Sequence, residues 1–149
     1  MFAVMGVLLV AWGASFVYVH VRHFRACRKM EMAIMKLSLK VPREFTDGQW
    51  AYCIHWTWQL NSNYAHMSYT PTAAMERMST ELLVRIDAGA DRNTIDWFWD
   101  EWMQASPSAE NYQRFRPTIR ENREELDSGM GDDALLWWQT QYRERVTKG

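Results

Sequence analysis

FAVMGVLLVAWGASFVYV, residues 2–19, is the stretch that decides the fold, because it contains no charged side chain. Its eighteen residues would form about 27 Å of α-helix, which is at the short end of the range that crosses a bilayer. No basic residue precedes the run and no small-x-small cleavage site follows it, so a retained anchor is favoured over a cleaved signal peptide. The sequence therefore predicts a transmembrane anchor over residues 1–21.

Charge is distributed unevenly along the chain. The formal net charge is −1, but residues 1–40 hold six Lys or Arg against one Glu, and residues 41–149 hold eleven against seventeen acids. Cations that follow the anchor, with none before it, place the N-terminus outside and the C-terminal domain in the cytoplasm. We expect Arg22, Arg25 and Lys29 to meet anionic lipid headgroups. The acidic remainder argues against nucleic acid as a partner.

The anchor has two unlike faces when it is drawn as a helix. Small residues fall on one side, and small side chains let a second membrane helix approach closely. Bulky apolar residues lie on the opposite side, where lipid is the expected neighbour. This pattern predicts a helix-docking face composed of Ala3, Gly6, Val10, Gly13 and Val17.

Beyond the anchor, residues 22–40 are predicted to continue the same helix as a basic amphipathic extension. No Gly or Pro interrupts the chain between Ala14 and Lys40, and Pro42 then disfavours helix. A heptad spacing predicts that one face packs, either on the protein's own domain or on a partner helix. Its positions are Phe16, His20, His23, Cys27, Met30, Ile34 and Leu37.

Residues 41–149 are predicted to form one small cytoplasmic domain of short helices, since no alternating β pattern of useful length appears. Capping residues, Pro and Gly mark the helix ends. Helices are expected to begin at Thr46, Pro71, Asn93, Ser106 and Asp132, with loops over 61–68 and 128–131 and a charged segment over 118–126. The fold class is therefore all-α: a transmembrane helix that continues into a long amphipathic helix, followed by a small Trp-rich multi-helix soluble domain.

Nine Trp are unusual for 149 residues. One face of each amphipathic helix suffices for a core, and Trp is enriched at protein interfaces. Trp56, Trp97 and Trp137 lie off the core-facing side of their helices, so they are predicted to form a partner surface. The alternative is an ordinary core that absorbs them.

The best candidates for metal or haem ligands are His20, His23 and Cys27, because they share one helix face. They supply no fourth ligand for a closed site and coincide with the heptad positions, so neither metal nor cofactor is predicted. Cys27 and Cys53 lack a redox spacing and are expected to be reduced and buried.

Catalytic patterns are equally weak. Asp96 and Asp100 share a helix face, but acids near a helix start favour the dipole, and a solvated face explains them. The sequence contains no Gly-rich phosphate loop and no nucleophile elbow. It therefore predicts neither an enzyme nor a small-molecule substrate.

Together these features predict a non-catalytic accessory or structural subunit of a larger membrane protein complex, bound to other membrane subunits through its anchor and its Trp-rich domain. A respiratory or photosynthetic assembly is one setting consistent with them. The first alternative is a phage- or envelope-associated single-pass protein that acts alone or as a homo-oligomer. The second is a haem- or metal-binding membrane protein that uses His20 and His23.

Overall fold

The computed structural model describes residues 2–65, 71–105, 128–131 and 133–148, without the side chains of residues 2–5, 8, 63–65 and 103. Every regular element in these ranges is helical, which confirms the all-α fold class. The elements are α1 (Phe2–Lys36), a 3-10 turn (Leu37–Leu39), α2 (Asp47–Ala65), α3 (Thr72–Gly89), α4 (Arg92–Ala105) and α5 (Ala134–Lys148). The helix expected from Ser106, the charged segment over 118–126 and the cap at Asp132 lie outside the described residues.

α1 is one unbroken helix of 35 residues, about 52 Å long. The described residues from Gly6 to Val21 are exposed, apart from one half-buried glycine. By contrast, Met30 and Ile34 are fully buried among the other helices. The second half of the heptad pattern therefore packs on the protein's own domain. We call residues 2–21 the stem, and residues 22–36 together with the turn and α2–α5 the bundle.

The stem is an exposed apolar helix. Val10 is 73% exposed and Trp12 is 69% exposed. Within the described part of the chain, no helix is both long enough and apolar enough to cross a membrane. The transmembrane anchor expected over residues 1–21 therefore stays a prediction.

α3 runs parallel to the second half of α1. Three contacts join the helices: Arg22 to Glu76, Lys29 to Thr80 and Lys36 to Asp87. Because the residue numbers rise together along both helices, the two helices point the same way. The start of α3 therefore lies beside the point where the stem leaves the bundle.

The other helices complete the bundle. The indole N–H of Trp50 donates to the Leu37 carbonyl at 2.7 Å, which places the start of α2 beside the 3-10 turn. α4 is antiparallel to α3, and α5 is antiparallel to α1. The contacts that set these directions are Arg77–Glu101, Arg85–Trp97, Gln139–Ser38 and Arg145–Glu31. We call the end of the bundle that holds Arg22 and the start of α3 the proximal end.

Apolar residues at spacings of three and four predict one inward face on each of α3, α4 and α5. The faces of α3 and α4 are buried throughout and form much of the core: Met75, Met78, Leu82 and Ile86 on α3, and Ile95, Phe98, Trp99 and Trp102 on α4. The predicted face of α5 consists of Leu135, Trp138, Tyr142 and Val146. Of these, Leu135 and Trp138 are buried and Tyr142 is half-buried, but Val146 is 54% exposed. The last turn of α5 therefore contributes less to the core than its spacing predicts.

Helix boundaries follow local signals in most places. The predicted capping box at the start of α2 is present, since Thr46 and Gln49 exchange hydrogen bonds of 2.9 and 3.2 Å. The loop expected from Asn61 is wrong at its start, because α2 continues to Ala65 and the Asn61 side chain is fully buried. Burial in the bundle overrides the polarity of that segment.

Residues 128–131, expected to be a flexible turn, are held against the start of α2. The Met130 N–H donates to the Gly48 carbonyl at 3.0 Å. A Cβ atom at Gly48 would overlap the Met130 carbonyl, and one at Gly129, where φ is +62°, would overlap the Gly48 backbone. The two glycines therefore permit a close backbone approach that any larger residue would disrupt.

The predicted cap of α4 at Asn93 is wrong, because Asp91 caps this helix. The Asp91 carboxylate accepts hydrogen bonds from the backbone N–H and the hydroxyl of Thr94, each at 2.9 Å. Asn93 contributes only a bond from its side-chain amide to Asp91, at 3.1 Å.

Asp91→Ala is expected to lower the free energy of unfolding by about 1 kcal/mol at neutral pH, the usual loss for a removed N-cap. The bonds from Thr94 lower the pKa of Asp91. The stabilisation is therefore present above the unfolded pKa and is lost as the pH falls through the folded pKa. Urea titrations at neutral and acidic pH should show the difference from wild type shrinking in acid. If the control Asn93→Ala lowered the free energy of unfolding by the same amount, Asn93 would cap the helix as much as Asp91 does.

Candidate interaction surfaces

The helix-docking face of the stem is open along its described length. Among the described residues, nothing lies within 4 Å of a Cβ atom built at Gly6 or at Gly13. Val10 and Val17 are 73% and 60% exposed, and the side chain of Ala3 lies outside the described residues. A second helix could therefore approach this face without displacing any described part of the chain.

Two of the three cations expected at lipid headgroups are held by α3 instead of standing free. Arg22 donates to both carboxylate oxygens of Glu76, at 2.9 and 2.6 Å, and this contact lowers the pKa of Glu76. Lys29 donates to the Thr80 hydroxyl at 2.7 Å. Arg25 is exposed, and no ion pair joins it to the rest of the described chain.

The structure places the three Trp of the predicted partner surface in two regions. Trp137 on α5 is 53% exposed, and its ring meets the Trp138 ring edge-on at 4.7 Å. Trp56 on α2 is half-buried, with its ring 5.9 Å from the imidazole of His55. Trp97 lies instead on α4, under the guanidinium of Arg85 at 4.3 Å. The prediction of one shared surface stays untested, and only Trp56 and Trp137 lie near a common feature.

That common feature is a groove of about 280 Å³ between α2 and α5. Its lining consists of His55, Met130, Asp133, Ala134, Trp137 and Trp138. Burial lowers the pKa of His55, so its imidazole is neutral at neutral pH. The groove thus combines an aromatic wall, a neutral imidazole and one carboxylate, a combination suited to holding a side chain of another protein. Sequence reasoning missed His55, because its nearest groove partners lie more than seventy residues away.

The two histidines at the end of the stem make contacts within the chain. Nδ1 of His20 lies 2.8 Å from the Phe16 carbonyl, and the two rings pack with centroids 3.9 Å apart. Nδ1 of His23 lies 3.1 Å from the Thr72 hydroxyl. Across the described residues, no group of three His, Cys, Asp or Glu is placed to hold a metal ion.

Both cysteines are free and buried, as the sequence predicts. The Cys27 thiol lies 3.9 Å from the Met75 sulfur, and burial raises the pKa of Cys27. Burial raises the pKa of Cys53 to about 12. Because the thiolate is the reactive form, burial makes both thiols less reactive as nucleophiles.

The acidic residues of α4 are half-buried. Glu101, beside Asp100, pairs with Arg77 at 2.5 Å, and this ion pair joins α3 to α4.

Comparisons with family models, with curated proteins and with solved structures return no match to this chain. The fold itself defines a class: a helical bundle that carries an exposed apolar helical stem.

Proposed function

We propose that this protein is a membrane-anchored, non-catalytic accessory subunit of a larger membrane complex. Its stem lies in the bilayer, and its bundle packs on neighbouring subunits. The exposed apolar stem carries the proposal. Residues 2–21 contain no Asp, Glu, Lys or Arg, and the side chains outside the described ones belong to the same uncharged run. Twenty helical residues are about 30 Å long, which equals the thickness of the hydrocarbon core.

The burial energy of the stem favours lipid over water. Among the described residues of the stem, eight large hydrophobic side chains are each more than half exposed: Val7, Leu9, Val10, Trp12, Phe16, Val17, Tyr18 and Val19. Burying one such side chain contributes about 1.5–3 kcal/mol. Together they favour a non-aqueous environment by on the order of 10 kcal/mol. An amphipathic surface helix confines such residues to one stripe, whereas here they point in several directions.

The orientation follows from the cations. They lie on the C-terminal side of the stem, beginning at Arg22. The N-terminus therefore lies outside, and the bundle lies in the cytoplasm. The groove between α2 and α5, with the exposed Trp137, supplies a surface through which the bundle can contact another subunit.

The anchor is expected to contact that complex through its docking face. Replacing Gly6 and Gly13 together with Leu fills space that nothing within the described chain occupies. The bundle should therefore fold normally, and insertion should persist because hydrophobicity rises. A neighbouring helix would be pushed away, since close approach requires small residues. We expect retention in the complex after mild solubilisation to fall several-fold.

The matched control is Leu9→Phe with Phe16→Leu, which exchanges bulky residues on the opposite side of the stem. Equal retention of both double variants would refute the docking face. The composition of the retained complex distinguishes an accessory subunit of a larger complex from a homo-oligomer. Foreign subunits support the accessory role, whereas a complex of this chain alone supports the homo-oligomeric alternative.

A further inference from the structure

The cations of α1 divide into two sets according to what they face. Three of them, spaced seven residues apart, bond to α3: Arg22, Lys29 and Lys36. Arg25 and Arg28 are both exposed, and Arg25 lines a shallow groove beside Arg22 and Glu76. In the described part of the chain neither takes part in an ion pair. Within the described residues, therefore, no carboxylate competes with an outside partner for these two arginines.

The distance of Arg25 and Arg28 from the stem, measured along the axis of α1, fits the headgroup layer of a bilayer. Arg25 and Arg28 lie about 6 Å and about 10 Å beyond Val21 along the helix axis. The headgroup layer is roughly 5–7 Å thick on each side of the hydrocarbon core. Side chains on a helix lean toward its N-terminus, which here is the stem. Both guanidinium groups therefore reach the headgroup level when the hydrocarbon ends near Val21.

The surroundings at the proximal end favour anionic partners. Among the described residues, the helix pairing brings the carboxylates of Glu76 and Glu101 to this end, and each is paired with an arginine. Two apolar side chains just before these arginines are exposed, Val21 at 43% and Phe24 at 61%. Two apolar side chains followed along α1 by two cations match the order of acyl chains and phosphate groups at a bilayer surface.

We propose that Arg25 and Arg28 form a binding surface for anionic phospholipid headgroups, through which the proximal end of the bundle rests on the membrane. The inference rests on the proposed membrane anchoring of the stem. Arginine suits this role because its planar guanidinium binds phosphate oxygens with two parallel hydrogen bonds. Arg22 and Lys29, which the sequence alone assigns to the same role, are instead structural links to α3.

The test uses the full chain in mild detergent with equal amounts of phosphatidylglycerol and phosphatidylcholine, and counts bound lipids by native mass spectrometry. Wild type should retain phosphatidylglycerol preferentially. The variant R25Q/R28Q should lose roughly tenfold or more of that preference, since each cation near an anionic surface contributes roughly fivefold. The matched control is K40Q/R43Q, which removes two exposed cations at the opposite end of the bundle. The control should keep the wild-type preference.

The lipid surface is overturned if R25Q/R28Q loses no more of the preference than the control does. It is also overturned if the wild type shows no preference for the anionic lipid. Flotation with phosphatidylcholine vesicles measures the anchor separately, because these vesicles carry no net charge. A wild type that floats but shows no lipid preference overturns this inference and leaves the anchor standing. A wild type that does not float overturns both. Circular dichroism of each variant verifies that the bundle is folded.

Discussion

Val10→Arg is expected to release the protein from membranes. Val10 lies near the middle of the uncharged run and is 73% exposed. An arginine at the centre of a membrane helix costs about 2.5–3.5 kcal/mol, and the favourable contribution of valine is lost as well. Membrane partition should therefore fall on the order of a hundredfold. The measurement is the fraction of protein that floats with vesicles after extraction at high pH.

The matched control places the same substitution on the bundle. Val84 on α3 is 59% exposed, so Val84→Arg adds the same charge to a surface that is not proposed to meet lipid. This variant should float as wild type does. Thermal unfolding of the bundle should be unchanged by Val10→Arg, because the stem residues around it are exposed. If both arginine variants remain with the vesicles, the stem is not the anchor.

The fold was predictable wherever the signal is local. The start of α2 at its capping box and the span of α3 between Pro71 and Gly89 follow from residues within one helical turn of each boundary. The sequence alone does not identify the cap of α4, because Asp91 and Asn93 are both good capping residues with similar preference. In the structure Asp91 is the cap, because its carboxylate accepts hydrogen bonds from both the backbone N–H and the hydroxyl of Thr94.

Contacts between distant residues were not predictable from periodicity. The sequence predicts that Arg22, Arg25 and Lys29 meet lipid headgroups, because lipid phosphate is the expected partner of cations beside an apolar run. In the structure, Arg22 and Lys29 instead meet Glu76 and Thr80, more than fifty residues away. Heptad spacing identifies which face of a helix is apolar, but it does not say which helix the polar edge will meet. For the same reason the groove at His55 was not predicted.

Two buried tryptophans differ in one property that a stability measurement can isolate. Trp50 and Trp102 are both fully buried. The indole N–H of Trp50 donates to the Leu37 carbonyl, whereas that of Trp102 has no hydrogen-bond partner in the described part of the chain. Replacing either residue with Phe removes a similar volume from the core, and so carries a similar cost for the cavity.

The hydrogen bonds should separate the two variants. Trp50→Phe loses a buried hydrogen bond at the junction of α1 and α2, whereas Trp102→Phe removes a buried unpaired donor that itself costs about 1–3 kcal/mol. We therefore expect Trp50→Phe to lower the free energy of unfolding by about 2 kcal/mol more than Trp102→Phe does. Urea unfolding of the two variants, followed by far-ultraviolet circular dichroism, measures the difference. Equal losses would mean that an internal water molecule satisfies the Trp102 indole, because a paired donor on each side would make the two substitutions equivalent.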